Sequence, residues 1–250
     1  MMTAFFGVLL MKVTAFRHLF SEGLGSLGLV IEKMGGSYQY FDTYREGCAD
    51  FDAYAPDLLI VLGGTPGVYQ ADDYPFLKDE MKIIEQRLAH DLPTLGICLG
   101  AQMMAHVLGS PVYPGGNGSE IGWVNLKITE AGMNSPLRHF EHSETAMLQW
   151  HGDTFDLPAG ATLLASSPQY ENQAYRYGEN ALGLQFHCEV TPGMLQGWSV
   201  AGAGLVAQKK LDVHRLRLET EEFGPRLITQ AEKFFTEWLI QTGVASGEGR

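Results

Sequence analysis

Short apolar runs alternate with stretches of helical periodicity along the first 110 residues of the chain. The apolar runs predict strands at 12–16, 37–41, 57–62 and 93–97. The helical stretches predict helices at 24–35, 76–90 and 98–108. Strands that alternate with helices are typical of an α/β fold with a mainly parallel central sheet and flanking helices.

The pattern changes after residue 110. Shorter alternating segments with turn signals predict strands at 111–113, 122–128, 145–148, 162–166, 172–177 and 181–187. We expect these strands to extend the sheet in the antiparallel sense. Helical periodicity returns at 192–208, 211–222 and 225–241, with Gly224-Pro225 as a break before the last stretch. These C-terminal helices, over residues 192–242, are expected to cover the sheet.

The composition narrows the class of protein. A chain of 250 residues with 45% hydrophobic content can bury a substantial core, and we expect one domain over residues 1–250. The 29 acidic residues outnumber the 17 basic ones, and the net charge of -12 argues against binding to nucleic acid or to an anionic membrane. Cys48, Cys98 and Cys188 cannot all pair and lack the spacing of a structural zinc site, so we expect no metal and a reducing, cytoplasmic location.

The first ten residues are considered separately. The apolar run at 4–11 has the length of a signal-peptide core, but no basic residue precedes it and the A-x-A cleavage pattern is missing. The run is also far shorter than the roughly 20 apolar residues that span a bilayer. Residues 1–10 are therefore interpreted as an N-terminal extension, with Met11 as an alternative start because 12–16 already reads as a complete strand.

The chemistry concentrates in the G-x-C-x-G segment at 96–100, where a predicted strand meets a predicted helix. Small residues around a central nucleophile permit a sharp turn that exposes it, as in a nucleophile elbow, and a helix N-terminus favours the reactive thiolate. The backbone N–H of Leu99 and a donor from Gly63-Gly64, after a neighbouring strand, would hold an oxyanion. The alternative is that Cys98 is a buried structural cysteine.

A second segment, FHCEVTP at 186–192, supplies a partner for this cysteine. In an extended strand His187 and Glu189 share one face, while Cys188 points to the other. Glu189 can then orient the imidazole, whose free nitrogen accepts the thiol proton and later protonates the leaving amine. A structural histidine is the alternative, and a metal site of these three residues is disfavoured because strand alternation separates Cys188 from the other two.

Taken together, the motifs resemble the class I glutamine amidotransferase family over nearly the whole chain. LGGT at 62–65, GICLGAQ at 96–102 and FHCEVTP at 186–192 carry the resemblance. EIGW at 120–123 and QWHGDTFDLP at 149–158 are similar to stand-alone members that resemble the glutaminase domain of GMP synthetase. The usual F-H-P-E form has a proline where this chain has Cys188, a departure that we expect to be tolerated because position 188 should face away from the site.

The resemblance implies a flavodoxin-like fold and a role for each matched residue. Cys98 would be the nucleophile, His187 the general base and acid, Glu189 the orienting carboxylate, and Gly64 and Leu99 the oxyanion hole. Residues implied to bind the substrate are Gly63, Gln102, Trp150, Gly152 and Asp153. His151 is interpreted as a structural histidine, because His187 already fills the position of the base.

The implied reaction is hydrolysis of the glutamine side-chain amide, or of a related γ-glutamyl amide, through a Cys98 thioester. The ammonia would be released or passed to an acceptor, with a synthetase partner or a homo-oligomer as the assembly. Two alternatives remain open: a γ-glutamyl peptidase that uses the same triad, and a catalytically silent binding or regulatory subunit. No glycine-rich nucleotide motif is present, and we expect no cofactor.

Overall fold

The computed structural model describes residues 11–141 and 145–246, so the predicted extension at 1–10 lies outside the described residues. The strands are β1 Lys12–Arg17, β2 Ser37–Asp42, β3 Leu58–Val61, β4 Thr94–Ile97, β5 Val112–Pro114, β6 Glu120–Asn125, β7 Lys127–Ile128, β8 Ala146–His151, β9 Asp153–Phe155, β10 Thr162–Ser166, β11 Ala174–Tyr177 and β12 Ala181–Leu184. The helices are α1 Gly25–Lys33, α2 Thr43–Glu46, α3 Phe76–Ala89, α4 Leu99–Val107, α5 Glu130–Met133, α6 Pro192–Ala201, α7 Ala203–Gln208 and α8 Val213–Gln241.

The central sheet has eight strands in the order β2-β1-β3-β4-β12-β11-β10-β7. The first five strands in this order are mutually parallel, and the last three run antiparallel to their neighbours. The predicted α/β class, with a mainly parallel sheet and an antiparallel extension, is confirmed. Because all five parallel strands point the same way, the loops that follow them meet at one edge of the sheet.

Two apolar clusters lie on opposite faces of this sheet. Along β3, Leu58 and Ile60 belong to one cluster, whereas Leu59 and Val61 belong to the other. This division follows from strand alternation, which sends successive side chains to opposite faces. Buried residues of α1 and α8 complete the first cluster, and those of α3 and α4 complete the second. Helices therefore cover both faces, as expected for a doubly wound sheet.

Two expectations about the segment after residue 110 need correction. Not all of its strands join the central sheet, because β5 pairs with β9 and β6 with β8 in two separate antiparallel ribbons. The strand predicted at 181–187 ends at Leu184, and His187 makes only an isolated bridge to Leu148. Local alternation shows that a segment is extended, but it does not show which neighbour the segment pairs with.

The predicted helix break at Gly224-Pro225 is wrong. One helix, α8, runs through Pro225. Its buried positions form a continuous stripe along one side: Leu216, Thr220, Gly224, Leu227, Ala231, Phe234, Phe235, Trp238 and Leu239. An internal proline costs a helix about 3 kcal/mol. Burying a single Phe or Leu side chain contributes about 1.5–3 kcal/mol, so the stripe on both sides of Pro225 outweighs that cost.

No helix in residues 11–141 and 145–246 has both the length and the apolar character needed to cross a bilayer.

Candidate active site

A cavity of about 510 Å³ lies at the edge of the sheet where the parallel strands end. The loop after β1 contributes Glu22, the loop after β3 contributes Gly64, and the turn after β4 contributes Cys98. His187 follows β12 and completes this part of the wall. The residues that follow four neighbouring parallel strands of the sheet thus lie together at one place. Open α/β sheets usually bind ligands at this position.

Cys98 occupies a strained turn between β4 and α4. Its backbone has φ 52° and ψ -106°, a conformation that non-glycine residues rarely adopt. The turn is tight enough to require glycine on both sides. A Cβ at Gly96 would lie 2.6 Å from backbone atoms of Gly100 and Ala101, and one at Gly100 would collide with the carbonyl oxygen of Val61. The G-x-C-x-G pattern therefore forms the predicted elbow, with the thiol on the cavity wall.

His187 lies between Cys98 and Glu189. Its Nδ1 is 2.8 Å from Glu189 Oε1, and the Cys98 thiol lies close enough to the ring to help raise the pKa of His187. Since Nδ1 is engaged by Glu189, the nitrogen left for Cys98 is Nε2. The structure thus brings the three residues of the predicted triad together in the predicted order.

The segment that carries His187 and Glu189 is held by backbone hydrogen bonds on two sides. The His187 N–H donates to the Leu148 carbonyl at 2.9 Å, and the Glu189 carbonyl accepts from the Ser26 N–H at 2.9 Å. Gly25, with φ 48°, leaves room for that carbonyl at the start of α1. Cys188 is fully buried in the apolar core, and this burial raises the pKa of its thiol well above the usual value. The backbone connections thus set the direction of the His187 ring.

The charges around His187 favour the protonated form of its imidazole. Burial opposes the charge on His187, but the Coulombic attraction of Glu189 and the hydrogen bonds with Cys98 and Glu189 outweigh it, so the His187 pKa stands well above 6.5. Glu22 lies nearby as a further carboxyl group. Its burial raises its pKa to about 6, although His187 and His18 act to lower it. The protonated form of His187 is therefore stabilised by the charges around it.

The two predicted oxyanion residues adjoin each other. A Cβ added at Gly64 would lie 2.7 Å from Leu99 Cδ2, so the loop after β3 packs directly on the first residue of α4. Leu99 is the first residue of α4, and its N–H is among those that an α-helix leaves without an intrahelical partner. Gly63 makes a different contact, because its carbonyl oxygen lies 2.6 Å from His18 Nδ1.

Of the residues predicted to bind substrate, Gln102, Trp150, Gly152 and Asp153 line the cavity. Gln102 donates to Gln185 Oε1 at 3.0 Å and to the Asp153 carbonyl at 3.4 Å, which ties α4 to β9. Trp150 contacts Trp198 of α6, with ring centroids 6.1 Å apart. Trp123 packs away from this wall, against Phe223 and Thr220 of α8.

Sequence reasoning did not single out several residues at the cavity. Glu22 lines the cavity from the loop after β1, and His18 lies in the same loop. Trp198 of α6 packs edge-on against His187, with ring centroids 4.7 Å apart. A further wall comes from Ala201, Gly202, Gly204 and Leu205, around the junction of α6 and α7. The rule that ligands bind beyond the carboxyl ends of parallel strands could have drawn attention to the loop after β1. No local motif marks the α6–α7 wall.

Comparison with known proteins identifies what the chain is similar to. Residues 19–197 match the family described as glutamine amidotransferase class-I. A glutamine amidotransferase-like protein of Salmonella typhimurium, YfeJ, is 29% identical over 190 residues, which span 75% of this chain and 79% of that protein. The glutamine-hydrolysing GMP synthase of Helicobacter pylori is 36% identical over 158 residues, which span 62% of this chain but only 28% of the GMP synthase.

Solved structures agree with this similarity. A glutamine amidotransferase from Thermotoga maritima is 38% identical and superposes with a TM-score of 0.84, covering 92% of this chain and 98% of that one. A glutamine amidotransferase from Methylobacillus flagellatus shares the fold at 23% identity, with a TM-score of 0.81 and coverage of 96% and 98%.

Proposed function

Because the chain belongs to the class I glutamine amidotransferase family, we propose that it hydrolyses the side-chain amide of glutamine through a thioester on Cys98. The observation that carries the proposal is the connected group in the cavity. Cys98 stands at a strained elbow, His187 lies beside it on the cavity wall, and Glu189 is hydrogen-bonded to His187. Acyl transfer through a covalent intermediate needs a nucleophile, a base within reach of it and a third group that orients the base.

In the proposed acylation step, His187 takes the thiol proton while the Cys98 sulfur attacks the amide carbon. The negative charge that develops on the amide oxygen is held by the N–H groups of Gly64 and Leu99. His187 then donates the proton to the amide nitrogen, which leaves as ammonia, and the acyl group remains as a thioester. Glu189 keeps the ring oriented and stabilises its positive charge, in agreement with the raised pKa of His187.

In the deacylation step, water replaces the leaving group. His187 takes a proton from this water as it attacks the thioester carbon, and the tetrahedral intermediate again places its oxygen between Gly64 and Leu99. The bond to sulfur breaks, the thiol regains its proton from His187, and glutamate leaves. The predicted substrate-binding residues Gln102, Trp150, Gly152 and Asp153 lie on the wall where the amino acid end of the substrate would be held.

The similarity to GMP synthase supports a second part of the proposal, that the ammonia passes to an acceptor on a synthetase partner. The relative concerned is glutamine-hydrolysing by its name, and the similarity covers 28% of its length. We propose a cytoplasmic location for this activity. A partner would raise the glutamine turnover above a slow partner-free rate, since such sites are completed by docking.

One observation favours a γ-glutamyl peptide as a second substrate. The cavity of about 510 Å³ falls within the range of about 300–1,000 Å³ that holds drug-sized ligands. Gly202 and Leu205 line the same cavity as Cys98, and a leaving amine larger than ammonia would occupy the space that they border.

Steady-state release of glutamate from glutamine and from a γ-glutamyl dipeptide tests both candidates. We expect measurable release from glutamine, and mass spectrometry of acid-quenched enzyme should find the acyl group on Cys98. A kcat/KM for the dipeptide more than about tenfold above that for glutamine, or roughly 1.4 kcal/mol of preference in the transition state, would promote the peptidase. No release from either substrate would overturn the proposed hydrolysis.

A further inference from the structure

A buried ion pair outside the triad holds the loop that carries Gly64. His18 follows β1, and its Nδ1 lies 2.6 Å from the carbonyl oxygen of Gly63. Its Nε2 lies 2.9 Å and 3.2 Å from the two carboxylate oxygens of Glu80 on α3. Neither side chain of the pair is exposed to solvent. We propose that His18 and Glu80 act as a positioning pair that fixes the Gly63–Gly64 peptide so that the Gly64 N–H faces the cavity.

The direction of the peptide follows from its planarity. In a trans peptide the C=O and the N–H point to opposite sides. The C=O of the Gly63–Gly64 peptide points at His18, so the N–H of Gly64 points away from His18. Gly64 lines the cavity together with Cys98, so that side is where an oxyanion would form. The inference rests on the proposed function, in which this N–H is one of the two oxyanion donors.

Two consecutive glycines need such a restraint. Without Cβ atoms, glycines have little steric resistance to rotation of the peptide between them. His18 supplies the restraint in two ways, through its hydrogen bond to Gly63 and through packing on Gly64. A Cβ added at Gly64 would lie 3.0 Å from His18 Cβ on one side and 2.7 Å from Leu99 Cδ2 on the other. Gly64 is therefore held between the positioning pair and the start of α4.

The protonation of His18 suits this role. Both of its ring nitrogens face acceptors, the Gly63 carbonyl and the Glu80 carboxylate, and only the imidazolium donates to both. Burial opposes the charge, but the attraction and hydrogen bond of Glu80, the bond to Gly63 and the nearby Glu22 raise the His18 pKa to about 9. The ring of Phe76 stacks on the imidazole, with centroids 6.1 Å apart. His18 is therefore charged at neutral pH, and both of its hydrogen bonds are charge-assisted.

The decisive variant replaces both members of the pair, His18→Leu with Glu80→Leu. Replacing a buried ion pair with apolar residues is often neutral for stability, whereas removing one partner strands a buried charge. Complete loss of one oxyanion donor costs about 100–1,000-fold in kcat. The double variant displaces the Gly64 N–H without removing it, so the positioning role predicts that kcat for glutamate release falls about 10–100-fold while KM stays within about threefold. The rate of Cys98 alkylation by iodoacetamide should stay within about twofold, because the thiol and His187 are untouched.

Two further variants complete the set. His18→Asn combined with Glu80→Gln retains a donor near the place of Nδ1 without stranding a buried carboxylate, and it should recover part of the kcat lost in the Leu–Leu double variant. Arg87→Lys is the matched control, because Arg87 is a fully buried cation that donates to the carbonyls of Ala53, Pro56 and Pro93 away from the cavity. It should lower the melting temperature yet leave kcat within about twofold.

A crystal structure of the double variant separates this inference from the proposed function. We expect the Gly63–Gly64 peptide to rotate. If the peptide does not move, the positioning role is overturned whatever the activity. A kcat within threefold of that of the unmodified protein would also overturn it. So would a rate of Cys98 alkylation that falls by the same factor as kcat. Absence of glutamate release from the unmodified protein would instead overturn the proposed hydrolysis, while the position of the peptide would still test the pair.

Discussion

Two buried histidine–glutamate pairs border the same cavity, His187–Glu189 and His151–Glu120. The bonded atoms are 2.8 Å apart in the first pair and 3.1 Å apart in the second, and both histidines line the cavity wall. Residue type and burial therefore do not distinguish them, although Glu189 contacts Nδ1 of its histidine and Glu120 contacts Nε2. What distinguishes them is how the second ring nitrogen of each histidine is used.

In the His151 pair both ring nitrogens have a partner within the protein. His151 Nδ1 donates to the Asp153 carbonyl at 2.9 Å, and Glu120 Oε2 also accepts from Gln173 at 2.7 Å. No ring nitrogen of His151 is left for a substrate. In the other pair the remaining nitrogen of His187 meets the Cys98 thiol, and Glu189 Oε2 has no hydrogen-bond partner in the described part of the chain. The difference indicates that contact of the second ring nitrogen with a thiol, and not the glutamate pair itself, sets His187 apart as the proposed base.

The largest expected effect comes from removing Cys98, the proposed nucleophile, whose contact makes His187 different. Cys98→Ala should lower kcat for glutamate release by at least about 10,000-fold, since no thioester can form. Mass spectrometry of the quenched variant should find no acyl group. Persistent turnover at a tenth of the original rate would show that another residue attacks the amide.

Exchanging the two histidines for asparagine tests the comparison directly. His187→Asn should lower kcat by about 1,000-fold or more, because the proton of the thiol then has no acceptor. His151→Asn should stay within about tenfold, and its main effect should be a lower melting temperature. Equal losses of kcat in the two variants, measured by steady-state kinetics, would break the comparison.

A third pair, His18–Glu80, predicts how stability depends on pH. The folded His18 pKa of about 9 lies above the unfolded value near 6.5, so the folded state binds more protons between these values. Its contribution is fully present below about pH 6.5 and is lost as the pH rises through 9. Urea unfolding should show a decrease of at most about 3 kcal/mol over this range. Glu80→Gln should flatten the dependence, and an equally steep slope in that variant would assign it to another group.

Substitution of Glu189 should mainly lower kcat, whereas substitution of Glu120 should mainly lower the free energy of unfolding. Glu189→Gln should lower kcat by about 10–100-fold, because it removes charge stabilisation but keeps an oriented ring. Glu120→Gln should affect unfolding instead, by about 1–3 kcal/mol, since Glu120 accepts from both His151 and Gln173 in a buried site. Parallel measurement of kcat and urea unfolding for both variants would reveal any reversal of this pattern.

The smallest effect is expected at Cys188, which lies between His187 and Glu189 in the sequence. Its side chain lies in the apolar core, away from the cavity. Cys188→Ala should keep kcat within about twofold and cost about 1 kcal/mol of stability. Thiol labelling with iodoacetamide should modify Cys98 first, and inactivation that follows labelling of Cys188 would show that the nucleophile has been misassigned.

The sequence by itself determined the features that depend on neighbours along the chain. The elbow at 96–100 could be predicted because glycine spacing and a strand-to-helix junction are local, and the α/β class followed from hydrophobic periodicity. The proximity of His187 to Glu189 was also predictable, because the two residues are only two positions apart. The roles of the triad, of Gly64 and Leu99, and of the substrate-binding residues stay predictions.

Only the tertiary structure decided the features that depend on distant contacts. The loop after β1 carries no motif, yet it places Glu22 on the cavity wall. It also places His18 against Gly63, which lies 45 residues further along the chain. Pro225 is a local signal for a helix end, but packing of the buried stripe of α8 overrides it. Hydrogen bonds and hydrophobic burial act between residues that folding brings together, so a pattern read along the chain cannot assign their partners.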